Sequence, residues 1–181
     1  SLTDVVDDLR MLPINMAVRI AIQVGEVLAS AHQLRIIHRD VKPDNIMLVP
    51  SPGDSYPIKV LDFGIAKLLD ENDSMQTETG VMFGTPEYMS PEQASGKKVD
   101  ERSDIYSLGL VLYFMLAGSP PFHGKNKLRI IHQQAREEPD RVEMRARQPL
   151  PRALSELIHE MLSKDPDGRP DKMADVVRRL E

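Results

Sequence analysis

Eight consecutive residues, His38-Arg39-Asp40-Val41-Lys42-Pro43-Asp44-Asn45, put a carboxylate, an ammonium and an amide within six positions of one another, and Asp62-Phe63-Gly64 follows with a second carboxylate on a turn. These residue types suit the handling of a magnesium-bound triphosphate beside a hydroxyl nucleophile. Phosphoryl transfer asks a protein for little covalent chemistry and much positioning and charge neutralisation. In that chemistry Asp40 accepts the hydroxyl proton, Lys42 holds the transferring phosphate, and Asn45 and Asp62 offer oxygens to a hard cation.

A lone Asp-Phe-Gly or His-Arg-Asp occurs by chance. Here the two strings stand in a set order, and Gly84-Thr85-Pro86-Glu87-Tyr88-Met89-Ser90-Pro91-Glu92 comes after them. In this arrangement the chain resembles the protein kinase family, with Ser90-Pro91-Glu92 in place of the usual Ala-Pro-Glu at the end of the activation segment. Asp104 and Arg169 fall where that family keeps later structural polar residues. The Pro-Glu-Tyr-Met-Ser-Pro-Glu-Gln string looks most like bacterial members of the eukaryotic-type serine/threonine branch.

The family's small lobe carries a Gly-rich loop, a strand lysine and a helix glutamate. No G-x-G-x-x-G occurs in the roughly 37 residues before His38, which read as helix. Lys59, in Pro57-Ile58-Lys59-Val60, leads directly into Asp62-Phe63-Gly64 and reads as a solvated strand residue, not the phosphate-binding lysine. Residues 1–181 are therefore expected to form one unit, the C-terminal lobe of a kinase catalytic domain without its N-terminal lobe. The expected architecture is mainly α, a helical bundle with small β-hairpins. Its catalytic loop is expected at 38–45 and its activation segment at 62–92.

Composition sets further bounds. At 181 residues and 41% hydrophobic, the chain can bury one ordinary core. A formal charge of −5 argues against a nucleic-acid partner. With no cysteine there are no disulfides or thiolate metal sites, which fits a reducing compartment. Asp4, Asp7 and Asp8 stand where a secretory leader would be positively charged. The longest uninterrupted apolar run, Leu108 to Ala117, is about half a membrane span, so it reads as a buried helix and no membrane segment is expected. The expected location is cytoplasmic, with any anchor outside this segment.

The periodicity predicts an amphipathic helix over Asn15–Gln33, with Ala17, Ile20, Ala21, Val24, Val27, Leu28 and Ala31 on one face. Asn45–Val49 and Ile58–Leu61 read as short strands around a turn-rich insert. Helices are predicted over Asp104–Ala117, Lys125–Arg136, Ala153–Ser163 and Lys172–Leu180, the first stopped by Gly118 and Pro120-Pro121. Leu68 to Met82 is too polar to bury much surface and is expected to be mobile, as the activation loop.

The resemblance assigns roles residue by residue. Asp40 is the catalytic base and Lys42 its phosphate-holding neighbour. Asn45 and Asp62 are magnesium ligands, and Met47 belongs to the core while flooring the adenine of ATP. A lysine at position 42, with Thr85 bridging Asp40 and Lys42, matches the serine/threonine pattern, so the implied partners are proteins bearing Ser or Thr hydroxyls. Arg39 is placed to bind a phosphate on the activation loop. Thr77 and Thr79 are its candidate sites, with Ser74 weaker, and trans-autophosphorylation within a homodimer would supply the phosphate. His38 braces Phe63, and Gly64 gives the turn its freedom. Glu92 and Arg169 form a buried ion pair, and Asp104 holds the catalytic-loop backbone. His32, His123, His132 and His159 are assigned structural or surface places. The rival reading is a pseudokinase or scaffold that uses the fold only for binding.

Overall fold

The computed structural model describes residues 1–49, 56–63 and 85–181. Its elements are α1 (Leu2–Leu9), α2 (Ile14–Gln33), β1 (Ile46–Leu48), β2 (Ile58–Val60), α3 (Pro91–Ala94), α4 (Glu101–Ala117), α5 (Lys127–Arg136), α6 (Arg152–Met161) and α7 (Met173–Leu180). The architecture is mainly α with one small two-stranded sheet.

Helix α4 is the axis of the packing. Every residue from Ser103 to Leu116 is buried, as expected of a helix apolar nearly all round. It begins three residues before the expected start at Asp104, because Asp100 caps it by accepting from the Arg102 N–H at 2.9 Å. That earlier start puts the polar Ser103, Asp104 and Ser107 in the first turns, under the candidate site. At the other end Gly118 adopts φ 77°, and a Cβ there would meet the Arg10 carbonyl oxygen at 2.1 Å. Only glycine suits both the left-handed cap and that close approach.

Helix α2 packs against α4 and α7. Its buried face carries Ala17, Ile20, Ala21, Val24, Leu28 and Ala31, with Met16 and Gly25 added. Val27, expected on that face, lies at its edge and stays 36% exposed. Gly25, at the opposite edge, is buried because α7 closes onto it: a Cβ there would come within 2.7 Å of Val177. By length and composition alone α2 is long and apolar enough to cross a membrane, although Arg19 and Gln23 interrupt its apolar run. Its apolar face is instead spent on the protein core.

The β1–β2 pair is antiparallel, with Ile46 opposite Val60, Met47 opposite Lys59 and Leu48 opposite Ile58. The Leu61 N–H donates to the Asn45 carbonyl at 2.8 Å, which extends the ladder by one rung. Asn45 and Asp62 are thereby brought to the same end of the hairpin. Ile46 and Leu48 pack on the core. Met47 faces the other way, half-buried and outside the core cluster, which corrects its expected place in the core. Helix α1, closed by a Ser1–Asp4 capping box, lies on the loop that carries Asp44, and Thr3 Oγ1 donates to Asp44 at 3.1 Å. The short helix α3 and the 3-10 turn Pro86–Tyr88 have no apolar periodicity to announce them. Residues 50–55 and 64–84, and with them Gly64, Ser74, Thr77, Thr79 and the polar stretch 68–82, lie outside the described residues.

Candidate active site

The loop after α2 is held from beneath by one carboxylate. Asp104 is buried, its side chain 1% exposed. Its Oδ2 accepts from the His38 N–H at 2.9 Å and from His32 Nε2 at 2.8 Å, and its Oδ1 accepts from the Arg39 N–H at 2.9 Å. Three donors satisfy a charge that would otherwise be expensive to bury. Arg39 needs such restraint, since its φ of 64° is left-handed and unfavourable for a side chain of this size. Its carbonyl is fixed too, accepting from Gln93 Nε2 at 2.8 Å.

His38 joins this loop to the segment after β2. Its Nδ1 accepts from the Asp40 N–H at 3.3 Å, so the proton lies on Nε2, which donates to the Leu61 carbonyl at 3.0 Å. The ring packs on Phe63 with centroids 4.6 Å apart. Both nitrogens serve neighbouring backbone groups, and the side chain is a brace.

Above this base stand the polar side chains. Lys42 Nζ lies 3.0 Å from Asp40 Oδ2 and donates to Thr85 Oγ1 at 3.3 Å. Lys42 thus contacts both Asp40 and Thr85. Asn45 Nδ2 donates to the Asp40 carbonyl at 2.9 Å and to its carboxylate at 3.2 Å. That commits the nitrogen end of the amide to Asp40 and leaves the Asn45 Oδ1 as the oxygen available to a cation. The side chains of Asp40 and Lys42 are 23% and 20% exposed, enough to meet a ligand from solvent. Asp62 sits exposed beyond β2 with φ 53°, a strained backbone for an aspartate. The donor set at this end of the hairpin, one carboxylate and one amide oxygen, fits a hard divalent cation that takes most of its ligands from water and phosphate.

Two buried clusters secure the segment that bears Thr85. In the first, Arg169 donates to both oxygens of Glu92 at 2.9 Å, and the Ser103 hydroxyl donates to Glu92 Oε1. The remaining Arg169 N–H groups go to the carbonyls of Ser163, Arg102 and Lys164, so all five are used. Burial alone would raise the Glu92 pKa, but the hydrogen bonds from Arg169 and Ser103 hold it below the usual carboxylate value.

In the second cluster, Gln134 Nε2 donates to the carbonyls of Pro86 at 3.3 Å and Glu87 at 2.8 Å, and its Oε1 accepts from the Tyr106 hydroxyl at 2.8 Å. Lys164 Nζ closes the set, donating to Tyr106 Oη at 2.7 Å and to the Gln134 carbonyl at 3.0 Å. Burial pushes the pKa of Lys164 down to about 8.

Residue patterns did not reveal His32, Gln93, Ser103, Gln134 or Lys164 as members of this framework. His32, given only a structural or surface place from the sequence, donates to the anchoring carboxylate. For Gln93 a signal existed: Ser90-x-x-Gln93 is a capping-box pattern. Long-range hydrogen bonds leave no comparable mark.

Comparison with known proteins gives concordant results. Residues 1–178 match the protein kinase domain family. The chain is 41% identical to the serine/threonine-protein kinase PknB of Mycolicibacterium smegmatis over 166 residues, 90% of this chain and 26% of that protein. It is 42% identical to the serine/threonine-protein kinase pkn3 of Myxococcus xanthus over 166 residues, 89% of this chain and 30% of the relative. Against PknB of Mycobacterium leprae the identity is 38% over 182 residues, 98% of this chain and 28% of the relative. The chain thus spans less than a third of the length of each of these bacterial proteins.

Proposed function

This chain belongs to the protein kinase family, and we propose that in the full-length protein it transfers the γ-phosphate of ATP to serine and threonine hydroxyls of protein substrates. The observation that carries this reading is the Asp40–Lys42–Asn45 cluster: a partly exposed carboxylate held through Oδ2 by an ammonium at 3.0 Å and an amide at 3.2 Å. Asp40 orients the substrate hydroxyl and takes its proton as the new bond forms. Lys42 sets its positive charge beside the transferring phosphoryl group, and its link to Thr85 ties that charge to the segment where a substrate would lie. Asn45 Oδ1 and the Asp62 carboxylate are the protein oxygens offered to magnesium, which when bound with ATP neutralises the phosphate charge. Met47, turned away from the core, is available to support the adenine.

The serine/threonine choice is supported by Lys42 and Thr85 and by the names of the relatives. Residues 1–181 would be the larger lobe of a two-lobed catalytic domain, working in the cytoplasm where ATP is supplied. Arg39 is proposed as the anchor for a phosphate on Thr77 or Thr79, added when one copy of the protein phosphorylates another. No observation favours a scaffold without catalysis. The test is transfer of labelled phosphate from ATP to a generic basic protein by the purified full-length protein, compared with its Asp40→Asn variant. Equal transfer by the two would overturn the reading.

A further inference from the structure

Gln93 has a second task beyond the helix it caps. As the third residue of α3 it completes a capping box: its N–H donates to Ser90 Oγ at 3.3 Å, and its Oε1 accepts from the Ser90 N–H at 3.0 Å. In an ordinary capping box the side chain is then finished. Here the other end of the amide, Nε2, crosses to the catalytic loop and donates to the Arg39 carbonyl at 2.8 Å. That carbonyl belongs to the peptide group joining Arg39 to Asp40, whose N–H donates to His38 Nδ1 at 3.3 Å. The peptide carrying Asp40 is therefore gripped at both of its polar ends, by Gln93 and by His38. It follows a residue at φ 64°, where the backbone has little intrinsic reason to stay. Rotation of this peptide plane would swing the Asp40 side chain. The preceding residue, Glu92, is fixed by Arg169, so α3 is a firm base from which to reach.

We infer that Gln93 is a positioning residue for Asp40, coupling the segment at 85–94 to the catalytic loop. The inference rests on the proposed role of Asp40. A side-chain amide is needed because the site asks for an acceptor and a donor at once. Glutamate would keep the cap, since an N3 glutamate is the standard partner of an N-cap serine, but it would set a carboxylate oxygen against the Arg39 carbonyl.

Gln93→Glu separates the two tasks. In the full-length protein we expect kcat to fall by about 10-fold, the loss of roughly one ordering hydrogen bond. KM for ATP and the melting temperature should stay near wild type. Gln93→Met, which loses both tasks, should lower kcat and the melting temperature together. Wild-type kcat in Gln93→Glu overturns the inference, as does a fall that occurs only in step with lost stability. A second readout does not depend on activity. Arg39-Asp40 is the single Arg-Asp dipeptide in these 181 residues. Labelling arginine carbonyl carbon and aspartate nitrogen in a sample of residues 1–181 therefore isolates this peptide by NMR. Its cross-peak should move in Gln93→Glu, and an unmoved peak overturns the inference. If wild type and Asp40→Asn transfer phosphate equally, the proposed function fails, and this peak still decides whether Gln93 holds the loop.

Discussion

Asp40 and Asp104 are the same side chain put to opposite uses a few ångströms of backbone apart. Asp104 is 1% exposed and meets three donors, two of them backbone N–H groups of the very loop that carries Asp40. Asp40 is 23% exposed, and the partners of its Oδ2 are the side-chain groups of Lys42 and Asn45. A carboxylate saturated by backbone donors and shut away from water has nothing left for a substrate. One held by side chains at a partly open surface can exchange partners during a reaction. Burial and partner type, not residue identity, distinguish the two carboxylates here.

Substitutions that remove one aspartate at a time test this division. The largest effect is expected from Asp40→Asn in the full-length protein. Loss of a general base costs about 10²–10⁴-fold in turnover. Because the replaced side chain keeps its shape, the melting temperature should hardly change. A rate near wild type would place Asp40 with Asp104 among the structural carboxylates.

Glu92 offers an intermediate case, a buried carboxylate satisfied by a guanidinium instead of by backbone. Glu92→Ala leaves Arg169 buried without its anion and should cost roughly 3–5 kcal/mol of stability in denaturant unfolding. Since the pKa of Glu92 in the folded state lies below its ordinary 4.5, its contribution is present above that pH and is lost as pH falls through the folded value. The stability gap between wild type and Glu92→Gln should therefore narrow on acidification below about pH 4.5. A gap independent of pH would mean that the pair contributes by packing alone.

Asp104→Asn should do less. The amide keeps one acceptor oxygen but turns its NH₂ toward a donor, leaving one buried N–H unsatisfied at about 1–3 kcal/mol. Turnover should fall with it, because the loop rather than the chemistry is disturbed. An Asp104→Asn variant of full stability and reduced turnover would blur the contrast with Asp40.

Much of this organisation could be read from residue types alone, and the reasons differ by region. The helices α2, α5, α6 and α7 announce themselves by apolar periodicity and α4 by its unbroken apolar run, with ends displaced by one to three residues where caps such as Asp100 decide the boundary. The grouping of Asp40, Lys42 and Asn45 is legible because local loop geometry brings near neighbours together. The partners of the anchor are not. His32 reaches Asp104 across 72 positions and Gln93 reaches Arg39 across 54, and no local pattern encodes such distances. Val27 departs from its expected place for a related reason: periodicity finds a helix face, but only the packing of α7 on Gly25 shows which edge of that face is covered.

The smallest expected effect concerns a cation. Lys164 is the counterpart of the buried carboxylates, with Nζ donating to Tyr106 Oη and the Gln134 carbonyl and lying 4.7 Å from the centroid of the Phe122 ring. These partners orient the ammonium without neutralising it, so burial wins and the pKa falls to about 8 from 10.5. An unfolded chain would bind this proton more tightly than the folded one between those two values. Stability from this group must therefore rise as pH climbs from about 8 to 10.5, the reverse of a lysine that gains a carboxylate partner. Lys164→Met lacks the titrating group and supplies the reference, because every other ionisation is common to both proteins. The melting temperature of wild type relative to Lys164→Met should increase across that window. A difference that stays flat, or moves against wild type, would show that the carbonyl and hydroxyl oxygens around Nζ already stabilise the charge as fully as Arg169 stabilises Glu92.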